Sequence, residues 1–212
     1  MFFIFKTKNI MAKNFAEIAF SDAAKSLQEK YGSRNSYARM EKFSVVDGLT
    51  DGEISFIENQ HSFYMASTGS NGFPYIQHRG GPKGFLKVLD SKRIGFIDFS
   101  GNKQYVSLGN IATNSKVSLI MIDYPRKKRL KIYAKAAVVE LDKNPELYDL
   151  LDINDYQFKP ERMLVLNIEA YDWNCPQHII PKYTVDEIEE ALIPQQNYIA
   201  TLEQQIKELS SK

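Results

Sequence analysis

The chain has 212 residues, of which 43% are apolar and 12% aromatic, enough to bury a core and to exclude disorder over most of its length. Its 27 basic and 26 acidic residues leave a net charge of +1, so no long-range field recommends nucleic acid or an anionic membrane as a partner. A single cysteine, Cys175, excludes an internal disulfide framework and the cysteine-rich zinc sites, and fits a reducing compartment.

The opening Met-Phe-Phe-Ile-Phe is cut off by Lys6, too short for a signal-peptide core or a membrane span. A cytoplasmic protein is expected, with residues 1–14 as a tail and Met11 as an alternative start. From Phe15 to Tyr31 the apolar residues Phe15, Ile18, Ala19, Ala23, Ala24, Leu27 and Tyr31 follow helical spacing, and Gly32 supplies a stop. Thr50-Asp51-Gly52-Glu53 matches a capping box with Leu49 and Ile54 as its staple, predicting a second helix to about Gln60.

Strand signals then dominate. Residues 62–67 and 74–78 flank an Asn71-Gly72 turn and predict a hairpin. Further strands are expected at 85–89, 94–99, 117–124, 130–141 and 163–171, with short helices at 107–114 and after the Asn144-Pro145-Glu146 start. Six or seven mostly antiparallel strands with helical excursions predict a mainly β fold with flanking helices, a closed or partly closed barrel over residues 15–183. A terminal helix follows over 184–212, opened by the Thr184 to Glu187 capping box. After Pro194 it carries Ile199, Leu202, Ile206 and Leu209 as an apolar stripe, to pack on its own barrel or on a partner.

Three polar clusters are candidates for chemistry. The first, Gln77-His78-Arg79-Gly80-Gly81-Pro82-Lys83-Gly84 running on to Lys87, joins cations to glycines that let backbone approach a flat anionic ligand. Gly-Gly-Pro is also ordinary turn chemistry. The second, Phe99-Ser100-Gly101-Asn102-Lys103-Gln104-Tyr105, follows an apolar strand and offers hydroxyl, amide and ammonium groups to a phosphate, or else forms a surface turn. The third, Trp173-Asn174-Cys175-Pro176-Gln177-His178, sets an aromatic plane beside amides that can read the edge of a heteroaromatic ring. No base or cation near Cys175 in sequence marks it as a nucleophile. His61, His78 and His178 lack metal-ligand spacing, so no metal is expected. No general acid or base is assigned.

The ordered series Tyr31-Gly32-Ser33-Arg34, Gln77 to Pro82, Gly101 to Tyr105 and Asp172 to His178 resembles the flavin-nucleotide-binding branch of the pyridoxamine 5'-phosphate oxidase-like family, over about Lys25 to Tyr183. The resemblance implies a split β-barrel that binds FMN, as a homodimer with two cofactor sites between the subunits. It assigns the phosphate to Arg79 and the Ser100 to Gln104 segment, and sets Arg129 near the flavin. The implied cofactor residues are Gln77, His78, Arg79, Gly80, Gly81, Lys87, Phe99, Ser100, Asn102, Lys103, Gln104, Arg129, Trp173, Asn174, Gln177 and His178. The C-terminal substrate-binding arginine motif of the oxidases has no match, so pyridoxamine-phosphate oxidation is not implied. The expected activity is flavin-dependent oxidoreduction of a small molecule, with a non-catalytic flavin-binding or flavin-sensing module, or a barrel adapted to haem or deazaflavin, as the alternatives.

Overall fold

The computed structural model describes residues 14–43 and 47–211, the Phe43 side chain excepted; residues 1–13 of the expected tail and both candidate starts lie outside the described residues. Seven strands form one sheet: β1 (Ser62–Thr68), β2 (Pro74–Gly80), β3 (Lys87–Asp90), β4 (Arg93–Phe99), β5 (Lys116–Asp123), β6 (Lys128–Val139) and β7 (Pro160–Asn174). Their order is β2-β1-β5-β6-β7-β4-β3, and every pair with a described register is antiparallel.

Period-two alternation selects the inner face. On β6, Leu130, Ile132, Ala134 and Ala136 are buried while the residues between them are partly exposed. β4 departs from alternation because Ile94 to Asp98 are all buried. One side of β4 faces the main core, and Ile97 joins a second cluster with Leu151 and Met163. Leu151 comes from α6 (Pro145–Leu151), where Asn144 caps by accepting from the Leu147 amide at 3.0 Å.

Among the described residues no backbone ladder closes the barrel, so β2 and β3 remain edges. Side chains bring the ends together instead. The Phe63 ring of β1 meets Phe96 of β4 edge-on at 5.4 Å, and Arg79 of β2 pairs with Asp98 of β4. The mainly β, split architecture expected from the sequence is therefore present, with the fully closed form ruled out.

The N-terminal helical stretch is divided into α1 (Phe15–Ala19) and α2 (Asp22–Lys30), because Ser21 starts a new helix by accepting from the Ala24 amide at 3.3 Å. α3 (Arg34–Phe43) was not expected. α4 (Asp51–Glu58) starts where the capping box sets it, with the Glu53 carboxylate accepting from the Thr50 amide at 3.0 Å. α5 (Val106–Thr113) lies between β4 and β5 in sequence.

The chain separates into two compact units, Met1–Ile122 with Arg129–Cys175, and Asp123–Lys128 with Pro176–Lys212. The second holds α7 (Val185–Ser210), whose Thr184 and Glu187 exchange the reciprocal bonds of a capping box. In the same unit the Lys182 ammonium lies 4.7 Å from the Tyr124 ring centre. Among the described residues no helix is long and apolar enough to cross a membrane.

Candidate functional site

On β2, alternate residues turn the same way, and Tyr75, Gln77 and Arg79 stand on the side of the buried Ser67, Met65 and Phe63 of β1. Because β2 is an edge, these side chains meet the segment after β4 in a cleft of about 210 Å³. Asp98, Phe99, Asn102, Lys103 and Gln104 form a second wall, Glu161 and Arg162 of β7 a third, and Val106 to Leu108 of α5 the fourth. Gln77 is fixed by the Ser107 hydroxyl, which donates to it at 2.7 Å.

Asp98 is the hub of the charges. Its 5%-exposed carboxylate accepts from Arg79 and, at 2.9 Å, from Arg162, so two guanidiniums share one buried acid. Arg162 also pairs with Glu161 at 2.8 Å. Burial works against the Arg162 charge, but the hydrogen bond and charge of Asp98, with Glu161, outweigh it and raise its pKa. Glu161 accepts from the Ser100 hydroxyl at 2.9 Å. That bond, with the charges of Arg162 and Lys103, holds its carboxyl below the ordinary range against burial.

Three features leave this cleft able to take an anion. Arg79 Nε is buried without a partner. Lys103 has no carboxylate within ion-pair distance among the described residues, so Arg79, Arg162 and Lys103 outnumber Asp98 and Glu161. Tyr105 precedes α5 without a side-chain cap, which leaves the first amides of that helix to a ligand or to water. Lys103 and Tyr105 themselves hold left-handed φ values of 59° and 52°, a conformation that costs non-glycine residues about 1–3 kcal/mol each and gathers at ligand-binding turns.

The structure gives several sequence candidates other settings than expected. Arg79 and Gly80 are strand residues, not loop residues. His78 faces the opposite side of β2, where its ring packs edge-on against Tyr64 at 5.4 Å. Gly81 is explained by packing, since a Cβ there would sit 2.7 Å from the Phe85 ring. Lys87, on β3, pairs with Gly95 of β4 and does not line the cleft. Ser100 reaches the cleft through Glu161.

Trp173 and Asn174 end β7, eleven residues beyond Arg162 and about 36 Å away along an extended strand. Arg129 lies at that end too, opposite Asn174 and donating to the Cys175 carbonyl. Trp173 Nε1 donates to Glu53 at 2.6 Å, and the Tyr171 hydroxyl is 3.2 Å from the same carboxylate. Gln177 and His178 belong to the second unit, His178 with a left-handed φ of 63°. A larger cavity of about 500 Å³ lies among α1, α2, α3 and the ends of β6 and β7, and of the sequence candidates it takes in Asn174 alone. Among the described residues no three His, Cys, Asp or Glu side chains are grouped to hold a metal ion.

Sequence reasoning missed Asp98, Glu161 and Arg162. A lone Asp in the apolar Ile94 to Phe99 run was the available signal, since a carboxylate is buried there only with a cationic partner.

Residues 50–170 match the family model described as pyridoxamine 5'-phosphate oxidase. The chain belongs to this family. The match takes in all the residues that line the Arg79 cleft and stops before Trp173. Among solved structures, the chain is similar to a Lactobacillus delbrueckii protein provisionally assigned as a pyridoxamine 5'-phosphate oxidase, at 26% identity over 60% of this chain and 95% of that one, with a TM-score of 0.45. It is also similar to an FMN-binding protein of Syntrophomonas wolfei, at 16% identity over 69% of this chain and 97% of that one, TM-score 0.42. For HutZ, the haem storage protein of Vibrio cholerae, the values are 18%, 56%, 89% and 0.36. Among curated protein sequences none matches the chain.

Proposed function

We propose that this chain is an FMN-binding flavoprotein and that the flavin carries electrons or hydride to or from a small-molecule substrate. The observation that carries this is the convergence of Arg79, Lys103 and the uncapped start of α5 on one cleft, with Arg79 Nε buried and unpaired. Membership of the pyridoxamine 5'-phosphate oxidase family supports it. The residues fit the phosphate end of FMN: Arg79 and Lys103 neutralise it, while Asn102, Gln104 and the α5 amides supply hydrogen bonds. Asp98 and Arg162 hold the Arg79 fork in place. Bound flavin supplies the redox chemistry.

A cleft of about 210 Å³ is below the range of pockets that enclose a drug-sized ligand, so it takes the phosphate and leaves the ring outside. We assign the ring to a homodimer interface, where a second copy presents its own Trp173 to His178 segment, including Asn174 and Gln177. Tyr64 and Ile76, on the face of β1 and β2 turned away from the cleft, are 41% and 65% exposed, and the adjoining Phe73 is 77% exposed, an apolar surface next to the edge strand for a second copy to cover.

The test is an FMN titration followed by absorbance and fluorescence quenching. Wild-type chain turns yellow, and Lys103→Ala or Arg79→Ala weakens binding by about 10- to 100-fold, the worth of one charge-assisted hydrogen bond. Chain that leaves FMN fluorescence unquenched, and that emerges colourless from gel filtration after incubation with excess FMN, overturns the proposal. Anaerobic addition of NADH or NADPH then separates an oxidoreductase, whose flavin bleaches, from a flavin-binding module, whose flavin does not.

A further inference from the structure

The helix α7 runs unbroken through Pro194, and this extends the apolar repeat well beyond the four residues legible after that proline. With Val185 at position a of a heptad, the a positions are Val185, Leu192, Ile199 and Ile206. The d positions are Ile188, Gln195, Leu202 and Leu209. Every apolar member of this seam is exposed, from 39% at Leu202 to 72% at Leu209. Pro194 falls at c, and the carbonyl it leaves without a donor, that of Glu190, falls at f, so the helix's one irregularity lies away from the seam.

We propose that α7 is an assembly helix, which pairs in parallel and in register with α7 of a second copy of this chain. Three features select that occupant over others. Ile199 and Ile206 at a with Leu202 and Leu209 at d is the arrangement that favours two parallel strands. Gln195, the one polar residue in the seam, meets the second copy's Gln195 in a parallel pair, so its amide is satisfied; an antiparallel pair would set it against Ile199. The flanking positions agree. In parallel, Thr184 faces the second copy's Glu189, Ala191 faces Gln196, Tyr198 faces Glu203 and Gln205 faces Ser210, with no like-charge contact. The antiparallel arrangement brings Glu189 within reach of the second copy's Glu203 at both ends. This inference is independent of what the Arg79 cleft binds.

Single-cysteine cross-linking of the full chain tests it. Leu209→Cys is placed in a Cys175→Ser background and oxidised at low micromolar concentration with copper phenanthroline. In the parallel pair the two thiols adjoin, and most of the chain moves to twice the monomer mass on a non-reducing gel. In an antiparallel pair they stand at opposite ends of the helix, about 36 Å apart, and no such band forms. Adding Ile199→Glu, or separately Leu192→Glu, abolishes the band while far-UV circular dichroism stays unchanged. Absence of the band from Leu209→Cys, or its persistence with both seam charges, overturns the proposal.

Discussion

Glu53 shows how one carboxylate can serve both a helix start and a sheet end. It is 6% exposed, accepts from the Thr50 amide at 3.0 Å and from Trp173 Nε1 at 2.6 Å, and has the Tyr171 hydroxyl at 3.2 Å. Burial pushes its pKa up, but the bonds from Thr50, Trp173 and Tyr171 outweigh that and leave it below the ordinary value. A carboxyl depressed in the folded state contributes stability above its unfolded pKa, and the contribution is lost as pH falls through the folded value. Tyr171 runs the other way: burial, then the Glu53 charge, raises it to about 12, so its contribution is complete below its unfolded pKa near 10 and lost as pH rises through about 12. Glu53→Gln should therefore cost about 1.5–3 kcal/mol at neutral pH, with the gap from wild type narrowing in acid. The Tyr171 titration, followed at 295 nm, should move down while staying above that of free tyrosine, because its burial remains. A variant with unchanged stability and unchanged Tyr171 titration would show that the carboxylate is not what holds this corner.

The elements that could be read from sequence are those whose signal is local. Alternation in β5 and β6, the capping boxes before α4 and α7, and the Asn144 start of α6 each act within a few residues, and each element formed where expected. What escaped depends on distant partners. α3 is predominantly polar, and draws support from the Arg34–Glu41 pair at 2.6 Å and from Asn14, whose amide donates to the Met40 and Glu41 carbonyls. Trp173 and Asn174 read as a polar cluster because their strand identity comes from pairing with Leu130 and Arg129 of β6. The cations of the cleft were legible as residue types, whereas the acid between them became visible only once β2 and β4 were brought together. α6 makes this dependence measurable. Leu151 is its one buried residue, seated against Ile97 and Met163, so Leu151→Ala should destabilise by about 2–5 kcal/mol in urea unfolding. A loss below about 1 kcal/mol would mean that the site collapses around the smaller side chain.

Taken whole, the chain divides its tasks between a sheet unit that holds the core and the anion cleft, and a helix that presents an apolar seam. Both core clusters are drawn from the first unit, while α7 contributes no buried residue. Burial of apolar surface is the main favourable term in folding, so the free energy of unfolding should reside in the sheet unit. A chain ending at Tyr183 should then unfold cooperatively in urea. Compared with the full chain at nanomolar concentration, where association through α7 adds little by mass action, its midpoint should shift by no more than the equivalent of about 1 kcal/mol. The slope should change little as well, since it follows the surface exposed on unfolding and every residue of α7 but Glu187 is already exposed. A broad, non-cooperative transition in the shortened chain would show that the terminal helix supplies core contacts, and would remove the physical basis for treating its seam as a surface for a second copy.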